Sequence, residues 1–208
     1  MNIPIVYEDD WLLIVDKPAG LLSVPTPKKE SRTLTSILNQ DAKDRGLNYS
    51  LYPCHRLDRE TSGLIIYAKG KNTENKMADA FRNRQVSKKY VAFVHGKLAH
   101  SQGQIGFAIE GKSAITKYRV VQERSSYSVV EVSPLTGRTN QIRIHFKGIQ
   151  HPLVGEAKFI FRKDFALRFK RVCLHAQCLE FKHPQTGDTV AVESPLPEDM
   201  QKFLQDNN

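Results

Sequence analysis

CHRLDRETSGLIIYAK, residues 54–69, decides how the rest of the chain is read. Its second half, SGLIIYAK (62–69), is a β-branched apolar run of strand length, which predicts a strand buried on both faces. Its first half packs His55, Arg56, Asp58, Arg59 and Glu60 into a loop at the mouth of that strand, and loops at strand ends commonly carry active groups.

Working outward, IPIVY (3–7) and LLIVD (12–16) read as strands separated by a turn. KPAGLLSVPTPKK (17–29) is broken by prolines and Gly20 and reads as a loop, as does GLNYSLYPC; TLTSILNQ (33–40) fits a short helix. NTENKMADAFRNR (72–84) predicts a helix capped by Asn72 or Thr73, with Met77 and Phe81 on one face. KKYVAFVHG (88–96), QIGFAI, AITKYRVVQE and YSVVEVSPL are further strand candidates. TGRTNQIRIHFKGIQ (136–150) predicts a turn entering a helix with Ile142, Phe146 and Ile149 on one face. VCLHAQCLEFKHP and TVAVES complete the strands, and PEDMQKFLQ is a terminal helix. Strands outnumber helices, with no regular crossover helices between them. The expected class is α+β: a mixed, mainly antiparallel sheet with helices packed on it, in one domain over 1–208.

The 208 residues carry 31 Lys plus Arg against 22 Asp plus Glu, a net charge of +9 that favours a polyanionic partner, nucleic acid first. Three sparse cysteines, Cys54, Cys173 and Cys178, argue against a disulfide framework and for a reducing compartment. No signal-peptide pattern and no apolar run near the roughly 20 residues of a membrane span is present, so a cytoplasmic protein is expected; a monomer is taken as the default, since nothing in the sequence sets the oligomeric state. GxxxxGK[ST] is absent, which argues against nucleoside triphosphate chemistry. Cys173, His175 and Cys178 make a poor zinc set: on a strand, Cys178 points away from the other two. Neither cofactor nor metal is expected.

Three clusters could do chemistry. Asp58 could serve as nucleophile or general base, with nearby arginine holding it ionised; read locally, a solvated charged turn is the plainer account. Arg138, Arg143, His145 and Lys147 sit on or near the helix after Gly137, where Arg143 borders the buried face; a basic outer face explains them equally well. Tyr90 follows Arg82, Arg84, Lys88 and Lys89, a pattern suited to base stacking with phosphate contacts, although a core-edge tyrosine is the simpler reading. A Cys54–His55 thiol nucleophile is disfavoured, because such a pair must meet in space. Phenylalanines interleaved with basic residues over 158–171 fit an RNA grip or an amphipathic helix equally.

Taken together and in order, these clusters resemble the RNA pseudouridine synthases of the RluA type. HRLDRETSGLIIYAK is similar to that family's central motif, VDKPAGLLSVP to its first, KKYVAFVHG to its tyrosine motif and GRTNQIRIH to its closing motif, followed by HPLVGE and LHAQCLEFKHP. The resemblance implies two lobes sharing a central cleft and conversion of uridine to pseudouridine in ribosomal or transfer RNA, on a nucleotide flipped out of its stack. It makes Asp58 the catalytic aspartate, Tyr90 the group that contacts the base, and Arg143 the partner that holds Asp58 ionised. Arg56 would keep the target nucleotide unstacked; the basic residues Arg138, Lys88 and Lys89 are, by their pattern, the expected RNA contacts. Asn140 departs from the usual histidine, which implies altered contacts behind the site. The chain is also expected to be a catalytic core without the small N-terminal RNA-binding domain of many relatives. The alternatives are a non-catalytic RNA-binding or ribosome-assembly protein on the same scaffold, and a hydrolase that uses Asp58 with His55.

Overall fold

The computed structural model describes residues 3–28, 30–160 and 167–207. The architecture is a mixed, mainly antiparallel sheet with, among the described residues, four helices. The chain divides into two compact units: residues 1–86 with 178–194, and residues 87–177 with 195–208.

In the first unit, β1 (Ile5–Glu8), β2 (Leu12–Lys17) and β4 (Ser62–Lys69) pair antiparallel in that order. Strand β3 (Leu51–Pro53) pairs with β4, inside a segment whose sequence reads as loop; three residues with one buried side chain are too short for a periodic signal. Helix α1 (Leu34–Asp44) runs longer than its sequence signal and begins with a capping box between Thr33 and Ser36. Helix α2 (Lys71–Arg82) begins earlier than expected: Gly70 is its N-cap, and Thr73 is buried inside it.

Side-chain alternation sends Leu13 and Val15 of β2 and Ile65 and Tyr67 of β4 to one face, where Leu34 and Leu38 of α1 cover them. Leu12, Ile14, Leu64 and Ile66 point to the other face, against Met77 of α2. Both faces being covered explains why these strands read as unbroken apolar runs.

In the second unit, β5 (Ser87–His95), β6 (Gln102–Ile105), β7 (Thr116–Glu123) and β8 (Tyr127–Pro134) pair antiparallel in the order β5-β8-β7-β6. Strand β6 stops at Ile105 rather than running to Ile109. Phe107 leaves the ladder and lays its ring on His145, 4.6 Å between centroids. Helix α3 (Gln141–Gly148) packs Ile142 and Phe146 on Ala92, Val94, Val130 and Val132. Helix α4 (Glu198–Asp206) packs Met200 and Phe203 on the opposite face, formed by Val91, Phe93, Tyr127 and Val129.

Strand β9 (Leu174–Lys182) is continuous in sequence through both units, which divide after Gln177; β10 (Thr189–Glu193) pairs with its later residues. Among the described residues no helix is long and apolar enough to cross a membrane. Residues 161–166 of the Phe-rich basic segment 158–171 lie outside the described residues.

Candidate active site

Asp58 lies on the loop between β3 and β4 and is half-buried. The backbone around it is clamped. Ser23, itself buried, donates its hydroxyl to the Leu57 carbonyl at 2.8 Å and accepts from the Leu57 N–H at 3.1 Å. The Arg59 carbonyl accepts from the Gly20 N–H at 2.8 Å and from Lys17 Nζ at 3.3 Å, and the Asp58 carbonyl accepts from the Thr61 N–H at 3.1 Å. Lys17 is fully buried, and its Nζ also donates to the carbonyls of Pro18 and Leu21 at 2.9 and 2.8 Å. A buried ammonium is tolerated only where acceptors surround it, and here those acceptors belong to the two loops it joins. Gly20 makes the turn at φ +85°, a conformation costly for other residues.

The neighbours of Asp58 are structural or exposed. His55 accepts the Ile66 N–H on Nε2 at 3.1 Å and packs on Phe81, so that nitrogen carries no proton to give. This removes one acid position from the hydrolase reading. Burial pushes the Cys54 thiol up to about 12, leaving it a poor nucleophile. Arg56 is exposed and has no hydrogen bond or ion pair among the described residues. Arg59 reaches Glu30 only at 3.8 Å.

In the second unit, Tyr90 is half-buried on β5, against the core that also seats Ile142 and Phe146 of α3. Two residues along, Lys88 shares its face and is half-buried; desolvation lowers its pKa. Lys89 points to the other face and is exposed. There it lies 3.7 Å from Glu131, which also meets Arg119 at 3.4 Å. Strand parity therefore separates two lysines that are adjacent in sequence.

Arg143 is 5% exposed, one step from Ile142 on α3. Its Nε and Nη2 donate to the two oxygens of buried Glu156 at 2.7 and 2.8 Å, and its Nη1 donates to Asn140 Oδ1 at 2.9 Å. Glu156 Oε1 also accepts the N–H groups of Ala157 and Lys158. Although burial opposes its ionisation, the Arg143 and backbone hydrogen bonds outweigh that and hold this carboxyl below the usual range. The Phe159 ring lies 5.2 Å from the guanidinium carbon.

Residues 11–148 match the family model described as RNA pseudouridylate synthase. The chain belongs to the RNA pseudouridine synthase family. An uncharacterized RNA pseudouridine synthase of Bacillus subtilis, YlyB, is 36% identical and aligns over 99% of this chain and 73% of its own length. The dual-specificity RNA pseudouridine synthase RluA of Haemophilus influenzae is 33% identical, covering 90% of both chains. Among solved structures, human RNA pseudouridylate synthase domain containing 4 superposes with a TM-score of 0.81 at 25% identity, over 97% of this chain and 92% of that one. The protein is thus an RNA pseudouridine synthase, an isomerase acting on uridine in RNA.

In this synthase, the residues singled out from sequence fall in both units: Arg56 and Asp58 in the first, Lys88, Lys89, Tyr90, Arg138 and Arg143 in the second. Arg138 is exposed and donates its Nε to the Ser113 carbonyl at 3.1 Å, fastening the β6–β7 connection. Three supporting residues lie within the quoted motifs, but their roles escape a sequence reading. Lys17 looks like one of three lysines in the loop over 17–29, although its parity with Leu13 and Val15 aims it at the core. Gln141 is buried; its oxygen accepts from Thr136 and the Arg138 N–H, and its nitrogen donates to the Ile115 carbonyl and Thr116. Glu156 follows Gly155, where an added Cβ would fall 1.8 Å from the Arg171 carbonyl oxygen, so only glycine fits.

Proposed function

We propose that this synthase isomerises uridine in ribosomal or transfer RNA in the cytoplasm, with Asp58 as its catalytic carboxylate. In the reaction the N1–C1′ bond breaks, the uracil turns, C5 bonds to C1′, and the proton lost from C5 is balanced by one gained at N1. All atoms of uridine are conserved, so no group donor or redox partner is required. Asp58 initiates cleavage, Tyr90 contacts the turning base, and Arg143 is the fixed positive charge of the reaction. A uridine in a duplex is out of reach, so the nucleotide is flipped out, at a cost of a few kcal/mol. Arg56, exposed on the same loop as Asp58, fills the vacated stack, and Arg138, Lys88 and Lys89 are the RNA-binding cations.

The observation that carries this reading is the clamped loop. Leu57 and Arg59, on either side of Asp58, are both fixed by hydrogen bonds from 17–23. A solvated charged turn has no need of a buried lysine and a buried serine behind it, whereas a reacting carboxylate gains from a fixed position. The RNA class is supported by relatives named ribosomal large subunit pseudouridine synthase D, such as that of Nitrosomonas europaea, 35% identical over 98% of this chain and 64% of its own.

The test is Asp58→Asn. RNA incubated with the variant, digested to nucleosides and separated, is expected to contain no new pseudouridine, while RNA affinity stays within about threefold, a difference under 1 kcal/mol. Turnover by the variant would overturn the assignment.

A further inference from the structure

We infer that Glu156 and Asn140 are positioning residues that together set the direction of the Arg143 guanidinium for catalysis. The inference rests on the role given to Arg143 above. An arginine side chain turns about several bonds, and a reacting site needs its charge in one place. Glu156 holds two nitrogens through a bidentate contact, which fixes the guanidinium plane. That carboxylate is itself locked by the N–H groups of Ala157 and Lys158. Asn140 holds the remaining terminal nitrogen, Nη1, through its side-chain oxygen.

Asn140 carries a second sign of this role. It is the N-cap of α3, where an asparagine oxygen ordinarily accepts a backbone N–H from the first turn. Here it makes no such bond, because its backbone sits in the left-handed region at φ +54° rather than in the extended region from which a side chain caps. The oxygen faces the Arg143 side chain instead, a local departure from helix-capping chemistry of the kind found where orientation matters more than stability. A buried Arg–Glu pair kept for fold stability alone is a poor account, since apolar residues of similar volume usually serve a core as well.

The test compares four variants of the full chain with wild type and with Arg143→Met, measuring kcat, KM and RNA affinity, with thermal melting to establish folding. Asn140→Gly keeps the left-handed backbone and removes the oxygen; Asn140→Asp keeps both. Glu156→Gln breaks the charged bidentate contact, and Glu156→Asp retains it on a shorter stem. Asn140→Gly and Glu156→Gln are expected to lose kcat on the order of 10- to 100-fold, the size of effect that follows a misplacement near 1 Å. KM and RNA affinity are expected to hold, and the two conservative variants to recover most of the loss. If Glu156→Gln fails to fold, the asparagine pair still decides. Folded Asn140→Gly with wild-type kcat, where Arg143→Met is inactive, would overturn the positioning role alone. An active Arg143→Met would remove the role of Arg143 itself.

Discussion

Replacing Lys17 with methionine is expected to damage both the fold and the reaction. Methionine nearly matches the volume of lysine, so the change removes a charge rather than opening a cavity. It deletes the bonds from Nζ to the Leu21, Pro18 and Arg59 carbonyls at 2.8, 2.9 and 3.3 Å. Hydrogen bonds from charged donors contribute about 1.5–3 kcal/mol each net of their exchange with water, and a set of three sharing one ammonium sums to less than three independent bonds. Because burying the whole ammonium is itself costly, the net loss is about 2–4 kcal/mol, near the low end of that sum. For a chain of this size, each kcal/mol lowers Tm by about 2–4 °C, so a drop of roughly 5–15 °C is expected by circular dichroism. The Arg59 carbonyl lies one residue beyond Asp58, so a loosened clamp should also lower kcat by about tenfold or more at permissive temperature. A variant with unchanged Tm and kcat would refute the argument that this lysine organises the catalytic loop.

Two further predictions concern protonation and RNA. His95 is 7% exposed, and burial, reinforced by the Arg168 charge, lowers its pKa to about 4. Because the unfolded chain binds this proton more readily, stability should fall as pH drops from about 6.5 to about 4, by up to roughly 3 kcal/mol. His95→Gln should flatten that part of a urea-midpoint profile, and an unchanged slope would show that other groups produce it. Lys88→Glu should weaken RNA binding and reduce its salt slope by about one, whereas Lys89→Glu, already near Glu131, should do less; equal effects in a salt titration would contradict the division of faces.

Much of the fold is legible in short windows. The doubly buried runs of β2 and β4 announce themselves because both faces are covered, and the helical spacing of Ile142 and Phe146 places α3 on its core. Misreadings occur where the signal is short or comes from elsewhere. β3 has three residues, α2 is capped by a glycine that makes no side-chain bond, and β6 ends early as Phe107 turns to His145. Of the candidate site, the motif residues are visible by chemical type and order. The roles of the supports are not: Lys17 resembles an ordinary loop cation, and Glu156 closes the HPLVGE stretch without showing that it grips Arg143.

Taken by itself, the sequence determined most element types, the α+β class and the family, because periodicity and motif spacing are properties of neighbouring residues. Tertiary structure alone decided which charges are buried and what they hold. Lys17 meets a carbonyl 42 residues away, Arg143 meets a carboxylate 13 residues on, and Lys89 turns from Lys88 toward Glu131 on another strand. A charge can be buried only where partners converge on it, and strand register and loop path bring those partners together over distances that no local pattern encodes.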